Sequence, residues 1–553
     1  MILTLTLSLY ACNGSSNVNE NEVPTSQESS SADETESPTS QDSSYVDETE
    51  APAPPESPCV IESLTVTAEK NPGIYEDIIA DVTNNTITIK AGLLCDTYAL
   101  KNALIDVVTD GVSYTVAGTV YTPGNEEGLR IDLTAGESLT LTDADGLKRV
   151  YDVVLSYAEK RIPVIHVNTS DGADITTKEK YSSATITIDA EGVDGWYLPE
   201  GYGSLEATSV GIKGRGNSTW GWAKKPYKIK FDEKTEILGM TEAKKWVLLA
   251  NYADYSLIRN YVVFEGARSL SNELSPLHQF PVNLFLNGNY LGVYTLGEDK
   301  EVKEGRIELP ENNGQPDTSF LLELYGTEEG DVFDVNCFHS GDIKWCKIQY
   351  PEDDLTVEQT KFIKDFCFHI DQDVYFGDEW EEHVDMDSFV NWFIASELFF
   401  NPDGCFRRSC FLTKEPGGKL KMGPLWDFDL GVGNIANYSH HYESWLCNTQ
   451  SSEVVPQNWF TVFLEDEDFR SRLREVWDEK KDILLETTLT SVDKMGETLV
   501  PSAEYNFTVW NVLGTRAVPH QPSVVEDFST YEENVEYLRN FIINRWNWLD
   551  ANI

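Results

Sequence analysis

Short runs of alternating apolar and polar residues dominate the first part of the folded chain. The alternation over residues 83–90 and 150–157 predicts half-buried strands, and turn residues separate these runs from their neighbours. No cluster of His, Cys or carboxylate residues converges in this part of the sequence. We therefore expect residues 58–159 to form a small, all-β, antiparallel sandwich without chemistry of its own.

From residue 160 to 553 the pattern changes from strands to helices. The runs IPVIHVNT, SATITIDA, EATSVGIKGRG, KPYKIKF and KWVLLAN predict strands, and Asn287-Gly288 predicts a tight hairpin. Longer periodic segments predict helices over residues 256–270, 356–373 and 385–400. Strands followed by helices within one region indicate an α+β domain, which we expect to have two lobes.

The N-terminal residues are typical of an exported chain. Residues 1–12, MILTLTLSLYAC, contain an apolar stretch that suits a signal peptide and is too short to span a membrane. Its end, Leu9 to Cys12, looks like a lipobox, which predicts lipidation of Cys12 and anchoring in a bacterial cell envelope, at the outer membrane or the cell surface. The alternative is a plain secretory signal with an incidental cysteine.

Residues 13–57 contain eleven Asp or Glu and no Lys or Arg, together with many Ser, Thr and Pro. Such a segment cannot bury enough apolar surface to fold, and its charges repel one another, so we expect a disordered acidic linker.

The overall charge limits the kinds of partner that the protein can bind. The chain has 93 Asp and Glu against 42 Lys and Arg, a formal net charge of -51. This excess of negative charge argues against a nucleic-acid partner, and we expect a monomer. Eight cysteines besides Cys12 permit disulfides, for example between Cys337 and Cys346, but no zinc-binding spacing occurs.

A basic, glycine-rich turn is the first candidate for chemistry. Residues 211–220 read GIKGRGNSTW, and residues 224–231 read KKPYKIKF. Gly214 and Gly216 would let backbone N–H groups approach an anion, with side-chain donors and lysines nearby. The alternative is an ordinary hairpin whose lysines extend into solvent.

Two carboxylate motifs follow in the second half. Asp403 lies in NPDG after an apolar helix, where it could accept a hydroxyl proton or could simply cap a turn. Asp427 and Asp429 lie in GPLWDFDLG. In a strand they would share one face and bind a hard cation, whereas in a loop they would be two surface carboxylates.

Several stretches together resemble the spore-coat protein H (CotH) kinase family: GRGNSTWGWAKKPYKIKF, KKWVLLANYADYSLIRNYV, NLFLNGNYLGVYTLGE, ELFFNPDG and KMGPLWDFDLGVGN. They span about residues 161–550 in the family's order. The resemblance implies a two-lobed, atypical protein-kinase-like domain that uses ATP and Mg²⁺, or Mn²⁺, to phosphorylate Ser or Thr of exported proteins. The end of the preceding sandwich resembles the last hairpin of immunoglobulin-like modules on surface lipoproteins.

Residue by residue, the resemblance implies Asp403 as the catalytic aspartate and Asp427 as the metal ligand, supported by Asp429. The residues it places at the nucleotide and its phosphates are Arg215, Asn217, Ser218, Lys225, Lys228, Arg259 and Glu298. Which lysine contacts the phosphates stays open, because Lys225 and Lys228 cannot share a face if both lie in one strand.

One departure from the family concerns the run after Asp403. Many members have an Asn a few residues on, where it would hold a second metal, but here Arg407, Arg408 and Ser409 follow. Either Ser409 or a water substitutes, or only one metal binds, or phosphoryl transfer has been lost. The arginines could instead contact phosphate. The alternative function is therefore an inactive surface scaffold for adhesion or glycan binding.

Overall fold

The computed structural model describes residues 57–553 except 96, 125–129, 158–159, 326–331, 335–344, 353–354, 378, 407, 437–440 and 450–457. The predictions about the signal peptide, Cys12, the linker, Arg407 and Cys337 therefore lie outside the described residues. Cys346 is a buried free thiol. No helix in the described ranges is both long enough and apolar enough to cross a membrane.

The first folded region consists of β-sheets around one apolar core. Its strands are β1 (Ile61–Val66), β2 (Ile78–Ile79), β3 (Asp81–Thr83), β4 (Thr86–Ala91), β5 (Ala103–Leu104), β6 (Asp106–Thr109), β7 (Ser113–Val116), β8 (Thr119–Tyr121), β9 (Arg130–Ile131), β10 (Ser138–Thr142) and β11 (Lys148–Tyr157), with the short helix α1 (Thr97–Leu100) after β4.

The sheets of this region have the orders β2-β1-β6, β3-β4-β11-β10-β7-β8 and β5-β9. Alternate residues of β4, such as Ile87 and Ile89, face the core, as the alternating pattern predicts. The expectation of a purely antiparallel arrangement is wrong at one pair, because β4 and β11 run parallel.

A closed seven-stranded barrel follows. Its strands are β12 (Val164–Thr169), β13 (Ser182–Asp189), β14 (Leu205–Gly214), β15 (Tyr227–Ile237), β16 (Met240–Leu249), β17 (Gln279–Leu286) and β18 (Asn289–Glu298), in the order β12-β13-β14-β15-β16-β18-β17. The parallel pairing of β12 with β17 closes the ring. The hairpin turn between β17 and β18 has Asn287 and Gly288 at positive φ, as the sequence predicts.

The rest of the chain combines a second sheet with helices. The sheet has the order β20-β21-β19-β22-β23, formed by β19 (Phe320–Tyr325), β20 (Val332–Asp334), β21 (Trp345–Tyr350), β22 (Cys410–Lys414) and β23 (Lys421–Met422). The helices are α2 (Arg259–Leu270), α3 (Val357–Phe376), α4 (Met386–Phe399), α5 (Leu446–Thr449), α6 (Trp459–Phe463), α7 (Glu467–Val509) and α8 (Tyr531–Asn552).

One continuous apolar core joins the barrel, the second sheet and these helices. Helix α4 is buried along almost its whole length, as its apolar sequence predicts. The predicted helices α2, α3 and α4 are all present, and the mixture of strands and helices confirms the α+β class. This core holds the ends of β14, α4 and β23 around one cleft.

Candidate active site

A cleft of about 730 Å³ opens between the barrel, the second sheet and the loops that follow α4 and β23. Three of its lining carboxylates come from the motifs that the sequence analysis selects: Asp403, Asp427 and Asp429. The same cleft is lined by five cationic side chains, which are Lys178, Arg215, Lys300, Lys347 and Arg408. We call this cavity the central cleft. Its volume is that of a small-molecule site.

The glycine-rich turn forms one wall of the central cleft. Gly216 has a φ of 83°, and any side chain at Gly214 would collide with the ring of Trp220. The N–H groups of Gly214 and Arg215 already donate to the carbonyls of Thr177 and Pro226. The first glycine therefore makes room for Trp220, and its N–H is not available to an anion.

The next three residues of the turn have different backbone surroundings. Among the described residues, the N–H groups of Gly216, Asn217 and Ser218 have no hydrogen-bond acceptor, and Asn217 and Ser218 are exposed in the cleft. Lys178 supports the turn by donating from Nζ to the carbonyl of Gly216 over 2.9 Å. Consecutive N–H groups beside a cationic side chain are suited to bind an anion such as a phosphate.

Four cations of the cleft carry no salt bridge within the described part of the chain: Lys178, Arg215, Lys300 and Lys347. Lys300 is held over two aromatic rings, with Nζ 4.6 Å from the centre of Phe411 and 4.9 Å from that of Trp426. In a chain of such negative charge, unpaired cations in a concave site favour an anionic ligand.

The loop that carries Asp403 begins where α4 ends. Phe400 has a φ of 40°, which turns the chain out of the helix. Asn401 then fixes the loop, because its Oδ1 accepts from the N–H of Gly404 and its Nδ2 donates to the carbonyl of Asp427 over 2.9 Å. The amide side chain of Asn401 therefore links the loop that carries Asp403 to the loop that carries Asp427.

The segment that carries Asp427 and Asp429 is a loop, so of the two alternatives that the sequence leaves open, the structure excludes the strand. Asp427 has a φ of 68°, a left-handed conformation that no strand contains. Two amides hold the loop instead. Asn260 Oδ1 accepts from the N–H of Phe428, and Asn434 Nδ2 donates to the carbonyl of Asp429. Both carboxylates nevertheless line the central cleft.

The carboxylate of Asp427 is exposed and accepts a hydrogen bond of 3.1 Å from Ser409 Oγ. Asp403 lies across from Arg408, whose Nη1 is 3.5 Å from Oδ1 of the aspartate. Ser409 also has a positive φ, of 51°. Left-handed residues other than glycine cost conformational energy and cluster at functional sites.

Asp429 is the more enclosed of the two loop carboxylates. Burial raises its pKa well above the usual range, and the negative charges of Asp427, Asp254 and Asp403 add to the effect. Among the described residues, no group of three or more His, Cys, Asp or Glu side chains has the arrangement of a metal site. The two carboxylates of Asp427 and Asp429 still fit Mg²⁺, which typically takes one or two carboxylates and completes its shell with water and phosphate oxygens.

Two of the sequence-predicted nucleotide ligands are buried in ion pairs. Arg259 forms a buried ion pair with Asp254, with both side chains 2% exposed. Glu298 is fully buried and accepts from Arg306 Nε and from the N–H of His278. Neither lines the central cleft, and contact of these two residues with nucleotide stays a prediction. Their partners are separated along the chain by turns, and nothing in the sequence specifies those pairings.

The two candidate lysines also have partners of their own. Lys225 precedes β15, donates from Nζ to the carbonyl of Trp220 and does not line the central cleft. Lys228, within β15, forms a salt bridge of 2.5 Å with Asp299. It lines a second cavity of about 780 Å³, the side groove, which shares Lys178, Arg215, Asn217 and Lys300 with the central cleft. Lys228 therefore lines a cavity that adjoins the central cleft, whereas Lys225 contacts the glycine-rich turn at Trp220 and lines neither cavity.

Several residues of the central cleft belong to no recognisable sequence motif. Lys178, Lys300 and Lys347 come from three separate segments that carry no motif, and only tertiary packing brings them together. Asn260 and Asn401, which position the aspartate loops, belong to helices or their ends. The asparagine immediately before the Pro-Asp-Gly turn was the one available signal, because such a residue can bond to nearby backbone groups.

The family model described as "CotH kinase protein" matches residues 212–549. The match includes the glycine-rich turn and both aspartate loops, and it covers more than half of the chain. No curated protein matches the chain.

Proposed function

The chain belongs to the CotH kinase family, and we propose that it is an extracytoplasmic, lipid-anchored protein kinase that transfers the γ-phosphoryl group of ATP to Ser or Thr of exported proteins. The main support for this proposal is that cationic side chains and carboxylates line the same central cleft. Arg215, Lys300 and Lys347 face it without salt-bridge partners in the described part of the chain, and Asp403, Asp427 and Asp429 line it as well. Phosphoryl transfer needs cations for the phosphates, carboxylates for a metal and one carboxylate for the acceptor.

Each group has a role in this proposal. The turn at Asn217 and Ser218, with Arg215 and Lys300, binds the phosphates, and the barrel and the second sheet form the two lobes between which the nucleotide lies. Asp427 and Asp429 hold Mg²⁺, which when bound neutralises phosphate charge. Ser409 fixes the orientation of the Asp427 carboxylate.

Asp403 acts on the acceptor. Its carboxylate takes the proton of the Ser or Thr hydroxyl while the hydroxyl oxygen forms a bond to the γ-phosphorus. The bond between that phosphorus and the bridging oxygen breaks at the same centre, and ADP leaves with the electron pair. Anchoring through Cys12 would hold this chemistry at a membrane surface.

One observation favours the alternative, a non-catalytic surface scaffold. The carboxylate of Asp403 is paired with Arg408, and no Asn follows at the position where many family members have one. For transfer, Arg408 must leave Asp403 and turn to the phosphates. Both side chains are more than 40% exposed, so the pair is weak and its opening costs little.

The test is transfer itself, with the full chain, ATP, MgCl₂ and dephosphorylated casein as a Ser-rich acceptor. We expect phosphate on Ser or Thr of casein with the wild type and a loss of at least about a hundred-fold in rate with Asp403→Asn. Asp365→Asn, which changes an exposed aspartate on α3, serves as the control. Equal rates in the wild type and Asp403→Asn would refute the proposed role, and no transfer despite nucleotide binding would favour the scaffold.

A further inference from the structure

Four lysines share one outer face of the barrel. The strand register pairs Lys213 of β14 with Lys228 of β15, and Lys230 of β15 with Lys245 of β16. Directly paired residues and residues two apart point to the same side of a sheet, so all four project outward, while the alternate residues such as Ile229 face the core. We call this surface the lysine face.

Like charges placed opposite each other destabilise a sheet, so the lysine face needs compensation. Lys228 and Lys245 receive it from Asp299 at 2.5 Å and Glu301 at 3.3 Å. Lys213 and Lys230 have no carboxylate partner within the described part of the chain. Lys213 and Lys230 are therefore available to a negatively charged group of another molecule.

An aromatic side chain lies between the two uncompensated lysines. Lys213 Nζ is 4.9 Å from the centre of the Tyr181 ring, and Lys230 Nζ is 6.0 Å from it. Tyr181 packs onto the strand at Gly211, where an added Cβ would come within 3.0 Å of the tyrosine Cβ. Tyr181 is 37% exposed, so its ring offers a flat surface between two ammonium groups.

The lysine face continues into the candidate active site. Lys213, Lys228 and Lys245 line the side groove, and that groove shares Arg215 and Lys300 with the central cleft. A chain segment lying on the lysine face would thus reach the cleft along a groove in which six cationic side chains outnumber four carboxylates. Such a position suits the segment that carries the acceptor hydroxyl.

From this arrangement we infer that the lysine face docks an acidic segment of the protein substrate, with the acceptor Ser or Thr next to it in the chain. The inference names a substrate class for the proposed kinase and rests on that proposed function. The inference is based on charge complementarity. The whole chain has a net charge of -51 and repels an acidic peptide, so a cluster of lysines is a place where such a peptide is attracted. Acidic residues near the acceptor therefore decide which proteins bind.

The test compares two short fluorescent peptides with one central Ser, flanked either by Asp and Glu or by Asn and Gln. Their binding to the full chain is followed by fluorescence anisotropy at low salt. We expect the acidic peptide to bind more tightly, and the double variant Lys213→Glu/Lys230→Glu to weaken its binding at least about ten-fold. The control Lys361→Glu/Lys364→Glu makes the same change of net charge on α3 and should alter binding less than about two-fold. Lys213→Gln/Lys230→Gln replaces the double reversal if that variant fails to fold.

The outcomes separate docking from catalysis. Unchanged affinity in the lysine-face variant overturns the docking inference, whether or not phosphate is transferred. Anionic lipid vesicles and a DNA oligonucleotide are compared with the acidic peptide at equal charge. If either binds more tightly than the peptide, the inference that the lysine face binds an acidic peptide is wrong. Weakened binding without any phosphate on either peptide supports docking and contradicts the proposed kinase activity. For transfer to the neutral peptide, kcat/KM should be the same in the variant and the wild type.

Discussion

Ser409 Oγ donates a hydrogen bond of 3.1 Å to Oδ2 of Asp427, and so links the two aspartate loops of the central cleft. The serine lies six residues after Asp403, in the run where many family members have an Asn. Since Ser409 and Asp427 both have positive φ, the contact depends on two strained backbone positions. We interpret Ser409 as a substitute for that Asn: its hydroxyl group orients the Asp427 carboxylate, the proposed metal ligand.

Substitution of Ser409 tests this interpretation. Ser409→Ala removes a hydrogen bond to a charged acceptor, and we expect the Mg²⁺ concentration for half-maximal activity to rise about ten-fold. Ser409→Asn is the matched control, because Asn tolerates a positive φ and restores a polar side chain at the family's position. An unchanged Mg²⁺ requirement in Ser409→Ala would contradict the role of the serine.

Arg408 provides a second prediction. When it leaves Asp403 it becomes a cation beside the phosphates, so Arg408→Ala should weaken ATP binding by up to about five-fold at low salt, the range of an exposed charge interaction. Arg408→Lys keeps the charge and should retain most of the affinity. The effect should shrink as salt is added, because screening weakens exposed charge pairs. Equal ATP affinity in wild type and Arg408→Ala at low salt would show that the arginine does not contact phosphate.

The buried ion pair of Asp254 and Arg259 predicts a loss of stability with no direct loss of ligand contact. Arg259→Ala leaves the buried carboxylate of Asp254 without its cationic partner and should lower the free energy of unfolding by about 3–5 kcal/mol. The double variant Asp254→Asn/Arg259→Met removes both charges and should recover much of this loss. Chemical unfolding of the full chain measures both. Normal stability combined with lost ATP binding in Arg259→Ala would restore the original assignment of this arginine to the phosphates.

The salt bridge between Lys228 and Asp299 predicts a pH dependence. Burial would raise the pKa of Asp299, but the Lys228 ammonium, with Lys300 and Arg215, outweighs it and lowers the pKa to about 2. Since the pKa is lower in the folded than in the unfolded chain, the carboxylate stabilises the fold above about pH 4, by about 2 kcal/mol, and this contribution is lost as the pH falls towards 2.

Chemical unfolding at several pH values checks this prediction. The stability difference between wild type and Asp299→Asn should be constant near neutral pH and should shrink as the pH falls from 4 to 2. Asp365→Asn removes the exposed pair with Lys361 and serves as control, with little effect at any pH. A difference that grows on acidification would contradict the pKa assigned to Asp299.

The strands and helices were largely predictable, because their periodic patterns are local. Local sequence does not specify closure of the barrel, which depends on the parallel pairing of Val164 with Asn283 and of the residues that follow each of them. The same limit applies to β4 and β11, whose parallel pairing joins residues far apart in sequence.

The residues of the site that belong to a sequence motif could be predicted, whereas those that only tertiary packing brings to the cleft could not. Asp403, Asp427 and Asp429 stand in recognisable sequence motifs and line one cleft, although the sequence does not decide between a strand and the left-handed turn that Asp427 adopts. Arg259 and Glu298 lie in recognisable motifs but serve buried ion pairs. Lys300 carries no motif, and its place over Trp426 arises only when the two segments pack together.

The proposed function requires the central cleft to bind ATP together with a divalent metal held by Asp427. Isothermal titration calorimetry of the full chain with ATP, with and without MgCl₂, tests it most directly in wild type and Asp427→Asn. We expect MgCl₂ to tighten ATP binding to the wild type at least about ten-fold, and this gain to disappear in a folded Asp427→Asn. Absence of ATP binding in the wild type, or an equal gain from MgCl₂ in the variant, would contradict the account.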